Sequence, residues 1–329
     1  MAEFAYTLHL VEPYGKGFRD ITQLVQSVSW AGDTRQIARE LTVSLVVPKD
    51  GSIDQPNLAE GSALIFSVGG AKRFTGQILT ATTNSQRSIV DLSALDGGRF
   101  LVGNQGFYSF SNVTPERAVA TICNDFGISI GNLASTGISI SRKFSGITLD
   151  KIIFTLYTLA GEQNGKRYLP RITGDSVLEV IEKKDTASLI IQQTMSVVNT
   201  WDIENLCNRV AIYSDTGGLL NVVEDTASQA LHGQLQRVLT QRQGQDSYAE
   251  AQSILEDYGR QQTLTVELLT PPLELVTGAA VMLQDTGSGV SGLFWVDSDT
   301  HTWKNKNHYG KFKLNFRNMM NETSGGSEV

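Results

Sequence analysis

GLFWVDSDTHTW, residues 292–303, carries two aspartates and a histidine at alternate positions, with a second histidine nearby at His308. Three readings compete: a metal site, part of a catalytic apparatus, or a strand that shows one face to water. On a strand, residues two apart lie about 6.6–6.8 Å from each other along the chain. Asp297, Asp299 and His301 then share a face, with Asp297 and His301 ~13 Å apart. Ligand bonds near ~2 Å cannot bridge that span around one ion. Leu293, Trp295 and Trp303 fall on the same face. The spacing therefore predicts a strand whose aspartates and histidine decorate a rim or a subunit contact.

The segment gains a second meaning beside FTGQILTATT (74–83), because Gly76 and Gly292 each open a strand-like run. Upstream, LTVSLVVP (41–48) matches LTVELLTP (264–271), and GSALIF (61–66) matches GAAVML (278–283). The three pairs occur in the same order. Self-similarity at long spacing marks a repeated structural unit. The chain thus reads as α+β and mainly β, with two similar small β-barrel domains. Short alternating runs separated by turn residues fit such barrels.

The first barrel is expected over 1–100 and an α+β insertion domain over 101–195. The second barrel spans 196–320 with a helical excursion at 225–260, and 321–329 form a disordered tail. In the insertion, Thr114 caps a helix, Pro115 starts it, Gly127 stops it, and Ala118, Val119, Ile122, Cys123 and Phe126 make its apolar stripe. Thr148 caps a second helix, with Ile152, Ile153, Leu156 and Leu159 as its stripe and Gly161 as its stop. A hairpin turns at TGDS (173–176). The excursion is helical through Ala251, Ile254, Leu255 and Tyr258.

With 329 residues, 40% of them hydrophobic and 19% charged, the chain needs neither disulfide nor metal to hold a core. Its two cysteines, Cys123 and Cys207, form no framework, and Cys123 reads as a buried small side chain. The net charge of −7 argues against general or sequence-specific nucleic-acid binding. The one basic run, KNKNHYGKFK (304–313), reads as a solvated hairpin loop. No apolar run is long enough to insert in a membrane, and MAEFAYTLHL lacks the pattern of a signal peptide.

Chemical motifs are weak. GSGVSG (287–292) matches a dinucleotide fingerprint in letters only, because LFWVD after it is β where a helix N-terminus is needed. GEQNGK (161–166) follows a helix and has Arg167 where a phosphate loop has Ser or Thr. Four histidines (His9, His232, His301, His308) stand without a nucleophile elbow. Carboxylate pairs such as Glu179 with Glu182, or Glu256 with Asp257, are not distinguished from surface charge. The sequence assigns no catalytic, cofactor-binding or metal residue, and the chain reads as a non-enzyme.

VQSVSWAGDTRQIARELTVSLV (25–46), with Trp30 and Ala38-Arg39-Glu40-Leu41, FTGQI (74–78) and LDGGRFLVGNQGFYSFSNVTPERAVATICNDFGI (95–128) carry a family likeness. ITLDKIIFTLYTLA (147–160), ENLCNRVAIY (204–213) and GLFWVDSDTHTW with GKFKLNF continue it to about residue 317. The chain resembles the XkdQ-like baseplate hub proteins of contractile phage tails and phage-tail-like particles. It is more distantly similar to the hub half of VgrG spikes and to late-control D proteins. The resemblance implies a homotrimeric ring that joins tail tube to central spike, with tube, spike and baseplate wedge proteins as partners. It also implies assembly in a bacterial cytoplasm and residence in a virion tail or bacteriocin-like particle. No OB-fold spike or β-helical repeat follows residue 317, so the spike is expected to be a separate polypeptide. The rival expectations are a tail-associated peptidoglycan hydrolase and a host-surface carbohydrate-binding tail protein.

Overall fold

Alternating apolar residues build the first seven strands. The computed structural model describes residues 6–13, 17–47, 56–83, 88–241 and 247–328. The strands are β1 (Tyr6–Val11), β2 (Phe18–Asp20), β3 (Val25–Asp33), β4 (Glu40–Val46), β5 (Ala63–Val68), β6 (Ala71–Thr83) and β7 (Ile89–Asp96). They hydrogen-bond in the order β3-β4-β7-β6-β5-β1-β2. Leu41, Val43 and Leu45 of β4 point to one face, as their period of two requires. Leu8 and Leu10 of β1 enter the same buried cluster as Val28 and Trp30 of β3, although four strands separate β1 from β3 in the sheet. The sheet curls round one core.

The insertion follows as α1 (Arg99–Gly103), β8 (Gln105–Val113), α2 (Pro115–Asp125), β9 (Ile130–Leu133), β10 (Ile140–Thr148), α3 (Leu149–Asn164), β11 (Tyr168–Ile172) and β12 (Leu178–Glu182). Ala118, Val119, Ile122 and Cys123 of α2 bury against Ile152, Ile153 and Leu156 of α3. Thr114 and Thr148 stand at the two N-cap positions, yet neither side chain accepts a capping bond. Phe126 of the expected stripe lies past the helix end and is exposed. The expected stop at Gly161 is also corrected. α3 continues to Asn164, and Gly165 caps it in the left-handed region at φ 72°.

The second half comprises β13 (Leu189–Ile191), β14 (Ser196–Asp202), β15 (Arg209–Tyr213), β16 (Leu219–Glu224), α4 (Thr226–His232), β17 (Gln236–Thr240) and α5 (Ser247–Asp257). It continues with β18 (Gln261–Leu269), β19 (Ala280–Asp285), β20 (Val290–Lys304), β21 (Asn307–Asn315) and β22 (Ser327–Glu328). Here the hydrogen-bonded order β14-β18-β21-β20-β19-β13 reproduces β3-β4-β7-β6-β5-β1 strand for strand. The two orders differ at the last pair: β1 runs antiparallel to β5, while β13 runs parallel to β19.

The expected closed barrels are corrected. β20 pairs with β3 over Ser298–Lys304, which fuses both copies into one thirteen-stranded sheet. Among the described residues neither copy closes on itself by hydrogen bonds. β3, which would supply an edge for closure, is already paired on both sides, by β4 and β20.

The chain forms two compact units, residues 1–197 with 265–329 and residues 198–264. The smaller unit holds more than the helical excursion expected at 225–260. β15 pairs antiparallel with β16 and parallel with β17, and Val210, Ile212, Val223 and Ala251 of α5 form its core. In the larger unit the tail expected to be disordered is placed. The backbone of Thr323 donates to Thr158, and β22 pairs with β10.

Candidate functional site

β20 is one fifteen-residue strand, but a bulge interrupts it. Val296 opposes Leu314 and Ser298 opposes Lys313, which leaves Asp297 as the extra residue. A bulge reverses the parity of everything after it. Phe294 and Val296 face inward before it, and Asp299, His301 and Trp303 face inward after it. The expectation that Asp297, Asp299 and His301 share a polar face is therefore corrected. Asp297 accepts from Asn315 Nδ2 at 2.9 Å, and its partial burial raises its carboxyl. Asp299 and His301 are core residues, 1% and 0% exposed, rather than rim decoration.

Asp299 is matched completely. Its carboxylate takes both guanidinium ends of Arg39, with Nη1 at 3.1 Å, and accepts from the Thr277 amide at 2.7 Å and hydroxyl at 2.6 Å. Arg39 Cζ sits 3.9 Å from the centroid of the Trp30 ring, adding a cation–π contact. The Arg39 amide donates to Asp96 at 3.0 Å, and Gly98 donates to the same carboxyl at 2.9 Å. Burial nevertheless pushes Asp96 up to about 7.

His301 Nε2 lies 2.9 Å from the Leu275 carbonyl, which only accepts, so Nε2 carries the proton. Its Nδ1 then accepts from His308 Nε2 at 3.0 Å. Burial pulls both imidazoles below the ordinary histidine range, His308 to about 3. Trp303 stacks on His308 with 4.2 Å between ring centroids. Both imidazoles are buried and joined to each other by a structural bond, and His301 is tied also to the Leu275 carbonyl. The arrangement holds two copies together, since Arg39 and Asp96 come from one and Asp299, His301 and Thr277 from the other.

The remaining sequence candidates separate. Glu179 pairs with Arg171 at 3.2 Å, and Glu182 with Lys166 at 2.8 Å, each in its own salt bridge. Burial raises the Cys123 thiol to about 11, away from nucleophilic thiolate. GSGVSG spans the β19–β20 turn and enters β20, with strands on both sides. The basic run is not one solvated loop. The turn is Asn305–Lys306, both at positive φ, while His308 and Phe312 are buried in β21. Among the described residues no group of three or more His, Cys, Asp and Glu side chains could hold a metal ion, and no helix is long and apolar enough to cross a membrane.

The outward face of the fused sheet has a different chemistry. One register row runs Tyr309, Thr302, Ser29, Thr42, Ser93, Thr80 across six strands. Ser29 and Thr302 hydroxyls bond across the seam at 2.8 Å, and Ser93 donates to Glu40 at 2.7 Å. The next row runs Lys304, Ser27, Ser44, Asp91 and Thr82. The sequence shows the alternation within each strand. It gives no local sign that six strands would align their hydroxyls, or that Arg39 would find Asp299.

Comparisons with known proteins agree with this architecture. The chain is 24% identical over 321 residues to the phage-like element PBSX protein XkdQ of Bacillus subtilis, covering 91% of this chain and 94% of that protein. It is also 24% identical over 308 residues to the uncharacterised protein YqbQ of the same organism, covering 87% and 90%. Among solved structures, the 43 kDa tail protein of prophage MuSo2 from Shewanella oneidensis superposes with a TM-score of 0.73 at 11% identity, over 94% of this chain and 97% of that one. A tail protein from Neisseria meningitidis gives 0.71 at 14% identity, over 98% and 100%. A VgrG complex of Francisella gives 0.57 at 9% identity, over 99% of this chain and 60% of that one. The YQBQ-like family model matches residues 28–315, from within β3 to the end of β21, and the chain belongs to that family.

Proposed function

We propose that this protein is a structural hub of a phage tail or phage-tail-like particle, a homotrimeric ring between tail tube and central spike. The observation that carries the reading is the repeated strand order fused by the β20–β3 pairing into one sheet. Three such chains present six similar sheet units, which suits a sixfold tube on one side and a threefold spike on the other. The hydroxyl rows on the outward face suit a lumen wall. They offer hydrogen bonds, and the positive charge beside them is confined to Lys304, Lys311 and Lys313 of β20 and β21. The names of the relatives support this reading, as does a polar seam whose Asp299 and His301 are committed to structural bonds.

In this reading the chain is assembled in a bacterial cytoplasm, ends in the particle's tail, and meets tube, spike and wedge proteins. Native mass spectrometry tests it first: the expected species is a trimer of 35.9 kDa chains. A chain that stays monomeric at every concentration, and captures neither its tube nor its spike protein, sinks the proposal. Clearing of cell walls in a zymogram would move the protein to the hydrolase class. Binding of the isolated chain to whole cells would move it to the adhesin class.

A further inference from the structure

A bulge also lies in β6, at the end that pairs with Ser67 of β5. Its pairing with β5 passes from Lys72 opposite Ser67 to Phe74 opposite Phe66, so Arg73 is the extra residue. A bulge leaves its extra residue out of the ladder and re-aims the side chain. The β11–β12 turn braces this one. Thr75 Oγ1 donates to the Gly174 carbonyl at 2.7 Å, Ser176 Oγ donates to the Thr75 carbonyl at 2.8 Å, and Lys72 Nζ lies 2.7 Å from Asp175. Only a glycine permits the approach at 174, because a Cβ there would fall 2.7 Å from the Lys72 carbonyl carbon.

Arg73 lines a cavity of about 370 Å³ whose apolar walls include Trp30, Ile37, Leu169, Pro170 and Val276. The other charges on its walls are nearly all matched. Arg39 is held by Asp299, Lys72 by Asp175, Arg171 by Glu179, and Asp33 by Arg35. Glu274 is exposed, where water satisfies a carboxylate. Arg73 is half-buried, and its Nε is shielded from solvent and finds no hydrogen-bond partner among the described residues. A built cavity in which Arg73 is the one guanidinium without a carboxylate partner among the described residues is a site for an anion.

We propose that this cavity binds a carboxylate carried beside an apolar side chain, as in an acidic–apolar peptide segment, with Arg73 as its charge partner. A guanidinium takes a carboxylate through two parallel hydrogen bonds, and the apolar walls take the neighbouring side chain. A single unmatched positive charge favours a monoanion over a phosphate dianion. The inference does not depend on assembly into a particle.

The test uses the full chain with three probes: acetyl-Leu-Asp-amide, acetyl-Leu-Asn-amide and inorganic phosphate. In protein carrying ¹⁵N-arginine, the aspartyl dipeptide is expected to shift the Arg73 Nε–Hε resonance saturably. The asparaginyl dipeptide should bind at least about tenfold more weakly. Arg73→Met, which keeps most of the aliphatic stem, should lower calorimetric affinity for the aspartyl dipeptide by at least about tenfold. Equal binding of the two dipeptides, tighter binding of phosphate, or an Arg73 resonance that the aspartyl dipeptide never moves overturns the proposal. If Arg73→Met does not fold, the wild-type resonance decides alone.

Discussion

Arg39 and Asp299, 260 residues apart in the chain, meet as a paired guanidinium and carboxylate across the seam between the two sheet copies. Their side chains are 12% and 0% exposed, so Asp299 has no water to fall back on and Arg39 has little. Pairing keeps both buried charges tolerable, and it couples the ladder register of β3 and β20 to the contact between the copies.

Removing one partner should therefore cost far more than a surface ion pair would. Asp299→Leu strands the Arg39 guanidinium in the core, and a loss of about 3–5 kcal/mol is expected. Urea unfolding followed through tryptophan fluorescence measures it. The double change Arg39→Met with Asp299→Leu should recover most of the loss. A single variant within about 1 kcal/mol of the parent would rule out a structural role for the pair.

Gly32 tests the same contact without touching a charge. A Cβ at this position would sit 2.7 Å from Arg39 Cζ and 3.2 Å from Thr277 Oγ1. Gly32→Ala should displace the guanidinium and cost about 1–3 kcal/mol by overpacking. In a double-mutant cycle with Asp299→Leu the two losses should be less than additive, because both break one interaction. Full additivity would separate Gly32 from the seam.

Stability should depend on pH through opposing groups. His301 and His308 have folded pKa values depressed by burial, so their contribution is present above about 6.5 and is lost as pH falls toward the folded value, about 3 for His308. Each can add up to about 1.4 kcal/mol per pH unit to the slope below that point. Asp96 has the opposite sign. Its folded pKa is raised to about 7 from 3.8, so its contribution is present below 3.8 and is lost as pH rises through 7. Urea midpoints between about pH 4.5 and 7.5 should rise less steeply in His308→Gln and more steeply in Asp96→Asn. Parallel curves for parent and both variants would exclude this assignment.

Residues 198–264 have their own core, so a cavity there should act locally. Ile212 is 3% exposed beside Val210 and Ala251. Ile212→Ala should cost about 2–5 kcal/mol, read as faster amide exchange across β15, β16 and β17. Exchange in β4 and β7 should stay near that of the parent. Uniform acceleration along the chain would show that the two units unfold together.

The hydroxyl face should tolerate change in the isolated chain. Thr42→Lys with Ser93→Lys adds two positive charges to the register row and should alter stability by no more than about 0.5 kcal/mol per site. Under the hub reading, particles built from this variant should assemble but pass nucleic acid more slowly. Unchanged passage would remove this face from the lumen.

The local signals in the sequence carried far. Period-two alternation in LTVSLVVP and LTVELLTP, with GSALIF, GAAVML and the two glycine-opened strands, was enough to read a duplicated β unit. Pro115, the stripes of α2 and α3, and the turn at TGDS placed the insertion's elements, because caps, stripes and turns depend on residues a few positions apart. GLFWVDSDTHTW was legible as a strand for the same reason.

Tertiary structure decided what the period-two rule alone could not. The bulge at Asp297 is set by pairing with β21, and it turned Asp299 and His301 from supposed rim decoration into core residues. Fusion of the copies through β20 and β3, and the meeting of Arg39 with Asp299, depend on contacts more than 250 residues apart. The placed tail and the small sheet in 198–264 likewise depend on partners distant in sequence. A strand's own residues fix which faces they can offer. Only its neighbours fix the register, and register decides which face is buried.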